Sequence, residues 1–245
     1  MLNFICIGAQ KAGTTWLFDK LKMHPNVYFP LGKEVNFWNN KFYNSPLFKE
    51  IYHASMNGPV VDMGDYICGE ITPEYVLMDE KQIKVLKKHH PNIKIILMVR
   101  NPVERAWSAI KMTFNYMKLD LSELDNNKRI INGITSGLTY EMGLYGNILK
   151  KWKSYYSEEQ IKVVFFDDFI KKSKPVISEV CQFLDLDDSF FYDIPDSILD
   201  KPSLQGMKKK IDKNVYNTCI KAYANDLNSF QKDTRKDLSH WLSER

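Results

Sequence analysis

The sequence predicts an α/β fold: a single domain built on a parallel β-sheet of the P-loop type, flanked by helices. Three observations carry this expectation. Short, continuously apolar runs rich in β formers alternate with longer helix-forming segments, the pattern of βαβ units joined by right-handed crossovers. The first apolar run passes through a glycine-bounded loop straight into a helix-forming segment. The chain has 245 residues, 44% hydrophobic and 13% aromatic, with only 11 Gly and 10 Pro, so about three quarters of the unfolded surface can be buried around one core.

Each element has its own local reason. Leu2–Ile7 (L-N-F-I-C-I) is short and apolar and stops at Gly8, as a buried strand does. Thr14–Met23 carries helix formers and stops at His24-Pro25, because a residue before proline is pushed out of the helical region. A second helix, Lys81–His90, ends at Pro91. Ile93–Val99 is a second continuously apolar strand, the kind covered on both faces in a parallel sheet. In Asn101-Pro102-x-Glu104 the Asn can cap, Pro suits the first helical position, and Glu sits where a capping-box carboxylate would. Gly143–Tyr156 reads as a helix, Lys162–Phe166 as a strand, and Lys174–Leu184 and Asn214–Phe230 as helices. No repeat and no Gly/Ser-rich or Pro-rich linker divides the chain, so residues 1–245 are expected to form one domain. Two polar, poorly periodic stretches, 118–142 and 185–213, are expected to be lids or loops.

Composition narrows the function. The formal charge of +4 is too small to call for nucleic acid but suits an anionic small ligand. The best apolar run, Ile95–Val99, falls far short of the roughly 20 residues of a membrane span. The apolar start lacks a basic lead and a small-residue cleavage site, so no signal peptide is expected. Cys6, Cys68, Cys181 and Cys219 stand apart without C-x-x-C pairs, and Cys6 and Cys68 sit in apolar stretches, which predicts reduced, buried thiols and a cytoplasmic location.

Gly8-Ala9-Gln10-Lys11-Ala12-Gly13-Thr14-Thr15 lies between a predicted strand and a predicted helix. Glycines let the backbone turn and approach a ligand, and free N–H groups at a helix start point at an anion. Lys11 and the two Thr hydroxyls add charge and donors. The plainer alternative is a tight turn in which Thr15 caps the helix. Gly8 and Gly13 keep the spacing of the nucleoside-triphosphatase loop, G-x-x-x-x-G-K-[ST], but Thr14 replaces its lysine and the cation moves inside the loop to Lys11. A magnesium-dependent enzyme also wants an Asp at the end of an apolar strand, whereas Val99 is followed by Arg100. A strand ending in a cation wants a second anion, not a metal.

Four blocks in order, Q-K-A-G-T-T-W (10–16), K-E-V-N-F-W (33–38), G-E-I-T-P-E-Y (69–75) and V-R-N-P-V-E-R-A-W-S (99–108), resemble the sulfotransferases that use 3′-phosphoadenosine 5′-phosphosulfate (PAPS). More narrowly they look like the carbohydrate and bacterial branch, relatives of the heparan sulfate enzymes. Weaker echoes follow at 143–152, 163–169 and 237–241. The resemblance implies the sulfotransferase fold, PAPS as donor, adenosine 3′,5′-bisphosphate (PAP) as product, and no metal. It implies that Gln10, Lys11, Ala12, Gly13, Thr14, Thr15 and Trp16 bind the 5′-phosphosulfate and that Arg100 and Ser108 clamp the 3′-phosphate. Lys11 would stabilise the leaving phosphate, and Glu34 would be the general base toward a hydroxyl or amine of a carbohydrate or small-molecule acceptor.

Around that assignment, Val35, Phe37 and Trp38 are expected to supply apolar surroundings that raise the Glu34 carboxyl toward operating pH. The alternative is a first-turn helical Glu paired with Lys33. His24 and His53 are the runner-up bases. Trp16 and Trp107 could stack on adenine or pack in the core. Arg105 could serve the phosphate or form a surface pair with Glu104 or Glu141. Glu70 and Tyr75 are expected near the acceptor, whose pocket would be lined from 35–75 and 118–142; Ile71 stands where some heparan-type relatives carry a basic residue. Lys208–Lys210 would be a loop over the nucleotide or a solvated basic run. Two rivals stay open: a P-loop nucleotide kinase, and a non-catalytic module that holds adenosine bisphosphate.

Overall fold

The apolar run at the start of the chain, Leu2–Gly8, becomes the central strand (β1) of a five-stranded parallel sheet. Its neighbours are β3 (Ile67–Ile71) and β4 (Lys94–Val99), with β2 (Val27–Tyr28) and β5 (Ile161–Phe165) at the edges, in the order β2-β3-β1-β4-β5. Ile5 faces Glu70 on one side and Ile95 on the other. Nearly every residue of β1 and β4 is buried, as continuous apolar runs in a sheet covered on both faces should be. The computed structural model describes residues 2–57, 66–201, 203 and 206–245.

Helices α1 (Thr14–Leu21), α2 (Pro46–Asn57), α3 (Glu80–His89), α4 (Pro102–Tyr116), α5 (Asn127–Thr135), α6 (Gly137–Glu141) and α7 (Tyr145–Lys153) follow in chain order. After β5 come α8 (Phe166–Phe169), α9 (Ser173–Phe183), α10 (Asp196–Leu199), α11 (Lys213–Thr234) and α12 (Ser239–Leu242). Asn101 caps α4 as expected, its Oδ1 accepting from the N–H of Val103 and Glu104 at 3.1 Å each. Among the described residues no helix is long and apolar enough to cross a membrane.

The structure corrects the expectation for 118–142. That stretch holds a short 3₁₀ turn (Leu121–Asp125) and helices α5 and α6, packed against α4 and α11. Only Ile130 and Ile134 of α5 are buried, a stripe too narrow to stand out from its polar neighbours. The second expected lid, 185–213, contains the turn Asp188–Phe191 and α10 but is otherwise irregular. Its positions 202, 204 and 205 lie outside the described residues, as do positions 58–65 of the segment expected to line the acceptor pocket. The sequence reading also passed over β2 and α2. Cys6, Cys181 and Cys219 are buried free thiols and Cys68 is half-buried; burial pushes Cys6 and Cys181 up to about 12.

One long-range cap ties the helical layer together. Asp226, on α11, accepts from the N–H groups of Gly146 and Asn147 at 2.9 Å each, at the start of α7. Burial raises its carboxyl above the ordinary range, and the two N–H donors oppose that shift. Asp226→Ala leaves two donors at a helix start without an acceptor, so it should cost about 1–3 kcal/mol, measured as a lower urea midpoint with an unchanged slope.

Candidate active site

Three strand ends converge on one crevice. β1 runs into the loop 8–15, β3 into Thr72-Pro73, and β4 into Arg100. From β1 the chain leaves toward the β2 edge, and from β4 toward the β5 edge. In open parallel sheets the carboxyl ends at such a divergence are where ligands bind.

The loop is shaped by backbone that side chains would obstruct. Gly8 (φ +122°) and Gly13 (φ +98°) both lie in the left-handed half of conformational space, with Lys11 (φ +65°) between them. A Cβ on Gly8 would strike the Pro73 carbonyl, and one on Gly13 would strike the ring of Phe169. Ala9 N–H donates to the Met98 carbonyl at 2.7 Å, stitching the loop to β4, and Ala12 N–H turns back to the Ala9 carbonyl at 3.2 Å. The first bond of α1 runs from Leu17 N–H to Gly13 O at 3.1 Å, and no side chain among the described residues caps the helix. The capping alternative for Thr15 is therefore set aside: Gly13 holds the cap position and Thr14 and Thr15 are helical. The N–H groups of Thr14, Thr15 and Trp16 have no acceptor within α1, and the positive end of its dipole faces the loop.

Cations gather around that helix start. Arg100 Nη1 reaches the Lys11 carbonyl at 3.5 Å, and its guanidinium lies 4.4 Å above the Phe166 ring centre. Its Nη2 pairs with Glu104 at 3.3 Å, and Glu104 in turn takes Arg245 at 2.6 Å. Arg100 Nε is buried without a partner among the described residues. Lys11 Nζ approaches the Met112 sulfur at 3.7 Å. Burial first, then the charges of Arg100 and Lys33, hold the Lys11 ammonium below its ordinary 10.5. Lys111 is lowered for the same reasons, burial first, then Arg100 and Lys11. Like charges held this close, with one guanidinium nitrogen unpaired, fit an anion that carries several negative charges.

Glu34 lies on an irregular segment, not in the first turn of a helix, and its charge opposes the lowering of the Lys11 ammonium. Its N–H donates to the Ile71 carbonyl at 2.8 Å, its φ is +64°, and its carboxylate contacts the Lys33 ammonium. The side chain is 54% exposed. Phe37 and Trp38 do not enclose it as expected. Both turn inward, Phe37 stacking on Tyr52 at 4.2 Å between ring centres and Trp38 fully buried.

Other expected residues fall elsewhere. Glu70 and Tyr75 are wholly buried and bonded to each other, so they support the site from below and do not line it. Arg105 is 0% exposed; its Nη1 reaches the Gln10 carbonyl at 3.5 Å and its Nη2 bonds the Thr139 carbonyl, which corrects the surface-pair alternative. Trp16 packs in the core, stacked on Phe169 at 4.3 Å, with its indole N–H on the Leu199 carbonyl at 3.1 Å. Trp107 Nε1 and Lys111 Nζ both bind the Lys209 carbonyl at 2.9 Å, and Lys209 Nζ pairs with Asp125 at 2.7 Å. The 207–209 main chain is thus strapped to α4, and Lys209 is not part of a free basic run. Ser108 lies half-buried two turns into α4. His24 is structural, its ring nitrogens bonded to Asp187 O (2.9 Å) and Asn26 N (3.1 Å), while His53 packs on His89 and His90. Sequence reasoning overlooked Lys111 and Met112; the helical spacing of 104, 108 and 111 after Arg100 would have placed Lys111 on the same face.

A sulfotransferase domain family model matches residues 3–241. Human heparan sulfate glucosamine 3-O-sulfotransferase 5 is 28% identical over 191 residues, covering 74% of this chain and 53% of that protein. Human carbohydrate sulfotransferase 15 is 24% identical over 249 residues, covering 75% of this chain and 44% of that protein. The chain therefore spans about half the length of the curated relatives it matches. Among solved structures, a sulfotransferase from Alicyclobacillus acidocaldarius covers 99% of both chains with a TM-score of 0.73 at 22% identity. The sulfotransferase domain of the Synechococcus PCC 7002 olefin synthase covers 91% of this chain and 94% of its own, with a TM-score of 0.53 at 14% identity.

The loop geometry leaves no room for a single methyl group at Gly8 or Gly13. Gly13→Ala must adopt a left-handed φ and displace the Phe169 ring, which should cost about 1–3 kcal/mol, read as a lower urea midpoint; an unchanged midpoint would show that the loop bends otherwise.

Proposed function

The chain belongs to the sulfotransferase family, and on that premise we propose that it moves a sulfuryl group from PAPS to a hydroxyl or amine, with a carbohydrate as the first candidate acceptor. The observation that supports the reading most is the mutual electrostatic coupling of Lys11, Arg100 and Lys111 beside a loop that leads into an uncapped helix start, with Arg100 Nε lacking a partner among the described residues. The curated relatives' names, a glucosamine 3-O-sulfotransferase and a carbohydrate sulfotransferase, supply the carbohydrate class.

The donor brings an activated sulfuryl group on a phosphate leaving group. What remains for the protein is placement and charge. The N–H groups at the start of α1, the Thr14 and Thr15 hydroxyls and the Lys11 ammonium hold the 5′-phosphate end. Arg100 reaches the 3′-phosphate with Ser108, its guanidinium kept flat by Phe166 and kept in place by Glu104. Lys11 then meets the negative charge that develops on the bridging oxygen. Glu34, facing that ammonium, accepts the acceptor's proton, and Lys33 fixes the orientation of its carboxylate.

PAP should raise the melting temperature without magnesium, by the equivalent of about 2.7 kcal/mol at one hundred times its dissociation constant. Arg100→Ala should remove about 2–3 kcal/mol of PAP affinity and bind PAP and adenosine 5′-phosphate alike. A preference for MgATP would overturn the reading in favour of a kinase, and PAP binding with no transfer to any sugar, phenol, lipid or amine would favour a holding module.

Lys11 also sets a pH dependence. The ammonium is the working form and its titration is lowered, so activity should fall on the alkaline side with a midpoint below 10.5. Lys11→Arg, ionised throughout, should abolish that limb, and Lys11→Ala should lower kcat by about 10²–10³ at neutral pH. An alkaline limb that persists in Lys11→Arg would assign it to another group.

A further inference from the structure

We propose that Glu70 is a positioning residue for the base: working through three hydroxyls, it fixes the backbone that carries Glu34. The inference rests on Glu34 being the base. Glu70 lies at the end of β3 with no exposed surface. Its Oε2 accepts from the Tyr52 hydroxyl at 2.6 Å, and its Oε1 from the Thr72 hydroxyl at 3.0 Å and from the Tyr75 hydroxyl. An ionised carboxylate can only accept, so each hydroxyl must spend its one proton on Glu70. Each hydroxyl oxygen is then left purely as an acceptor.

Those acceptors are all used on one segment. Tyr75 Oη takes the N–H groups of Phe37 at 3.0 Å and Trp38 at 3.2 Å. Thr72 Oγ1 takes the N–H of Asn36 at 3.4 Å, and Tyr52 Oη takes the Trp38 indole N–H at 3.3 Å. Three consecutive backbone donors, 36 to 38, therefore end one atom away from a single carboxylate. Glu34 N–H is tied separately to the Ile71 carbonyl at 2.8 Å. Glu34 and Asn36 both hold left-handed φ values, +64° and +55°; Asn adopts that region readily, whereas a Glu keeps it only when its surroundings impose it.

The direction of every bond in this node depends on the charge of residue 70. A Gln there would offer an N–H₂ group to one hydroxyl and strand that hydroxyl's proton without an acceptor. Leu or Met would strand all three. Burial pushes the Glu70 carboxyl up while the three hydroxyls pull it down. A buried carboxylate is a costly way to fill a core, and its return here is a defined conformation of residues 34–38.

The test needs no identified acceptor, because slow hydrolysis of PAPS, followed as release of radiolabelled sulfate, lets water take the acceptor's place. Tyr75→Phe, Thr72→Val and Glu70→Gln should each lower kcat by about 10- to 100-fold, the scale of a small misplacement of a catalytic group. PAP affinity should stay within about twofold, and Thr72→Ser, which keeps the hydroxyl, should restore the rate. A merely structural role would lower melting temperature without that split. If Tyr75→Phe does not fold, the Thr72 pair carries the test alone. Folded Thr72→Val or Tyr75→Phe at full kcat, with Glu34→Gln inactive, overturns this inference and leaves the base intact. Glu34→Gln at full kcat overturns the base reading and this inference with it.

Discussion

Everything in the crevice depends on holding several cations close together at the carboxyl edge of a parallel sheet. Lys11 and Lys111 are both partly withdrawn from water and each feels Arg100, so each is harder to ionise than a free lysine. The arrangement persists because the rest of the fold leaves little choice. The loop is stitched to β4 through Ala9 and Met98, Arg100 is aligned by Phe166 and Glu104, and Arg105 braces the loop from beneath through Gln10. An anion entering this space relieves repulsion that folding has already installed. On the proposed function, its binding energy would come largely from the protein's own preorganised charge, the arrangement that also favours charge developing during transfer.

The two halves of the site are anchored differently. The cationic half is built on ends of regular structure, namely the last residues of β1 and β4 and the first turns of α1 and α4. The half that carries Glu34 has no helix or strand of its own. The N–H of Glu34 goes to a β3 carbonyl, and those of 36–38 go to side chains of the turn after β3, with one β3 carboxylate behind them. A segment held by side-chain oxygens can change its lining without disturbing the sheet, which suits the proposed acceptor side of the crevice.

What the sequence revealed follows the same division. β1, β4 and the cap of α4 were legible because each leaves a one-dimensional mark: a continuous apolar run, or Asn-Pro-x-Glu at fixed offsets. The loop and Arg100 were legible for the same reason. β3 left no clear strand mark, because Gly69 and Glu70 interrupt its apolar run; the glycine is where the Phe4 ring needs room, and the charge is the node itself. Helix α5 was missed because two buried isoleucines make too thin a stripe. Arg105 stayed open between two roles because nothing local distinguishes a guanidinium bound to two carbonyls in the core from one on the surface.

Glu70 shows why the second kind of information stays hidden. Tyr52, Thr72 and Tyr75 come from α2 and from the turn after β3, and their convergence is a property of topology, not of spacing. In the sequence, Glu70 two residues before a Thr-Pro pair reads as a polar group at the acceptor side of the site. Folded, the parallel pairing of β1 with β3 sets it opposite Ile5 at the centre of the sheet, where a charge survives only if donors are brought to both of its oxygens. That requirement recruits the hydroxyls, the hydroxyls recruit the N–H groups of 36–38, and the shape of the crevice above follows from a charge buried below it.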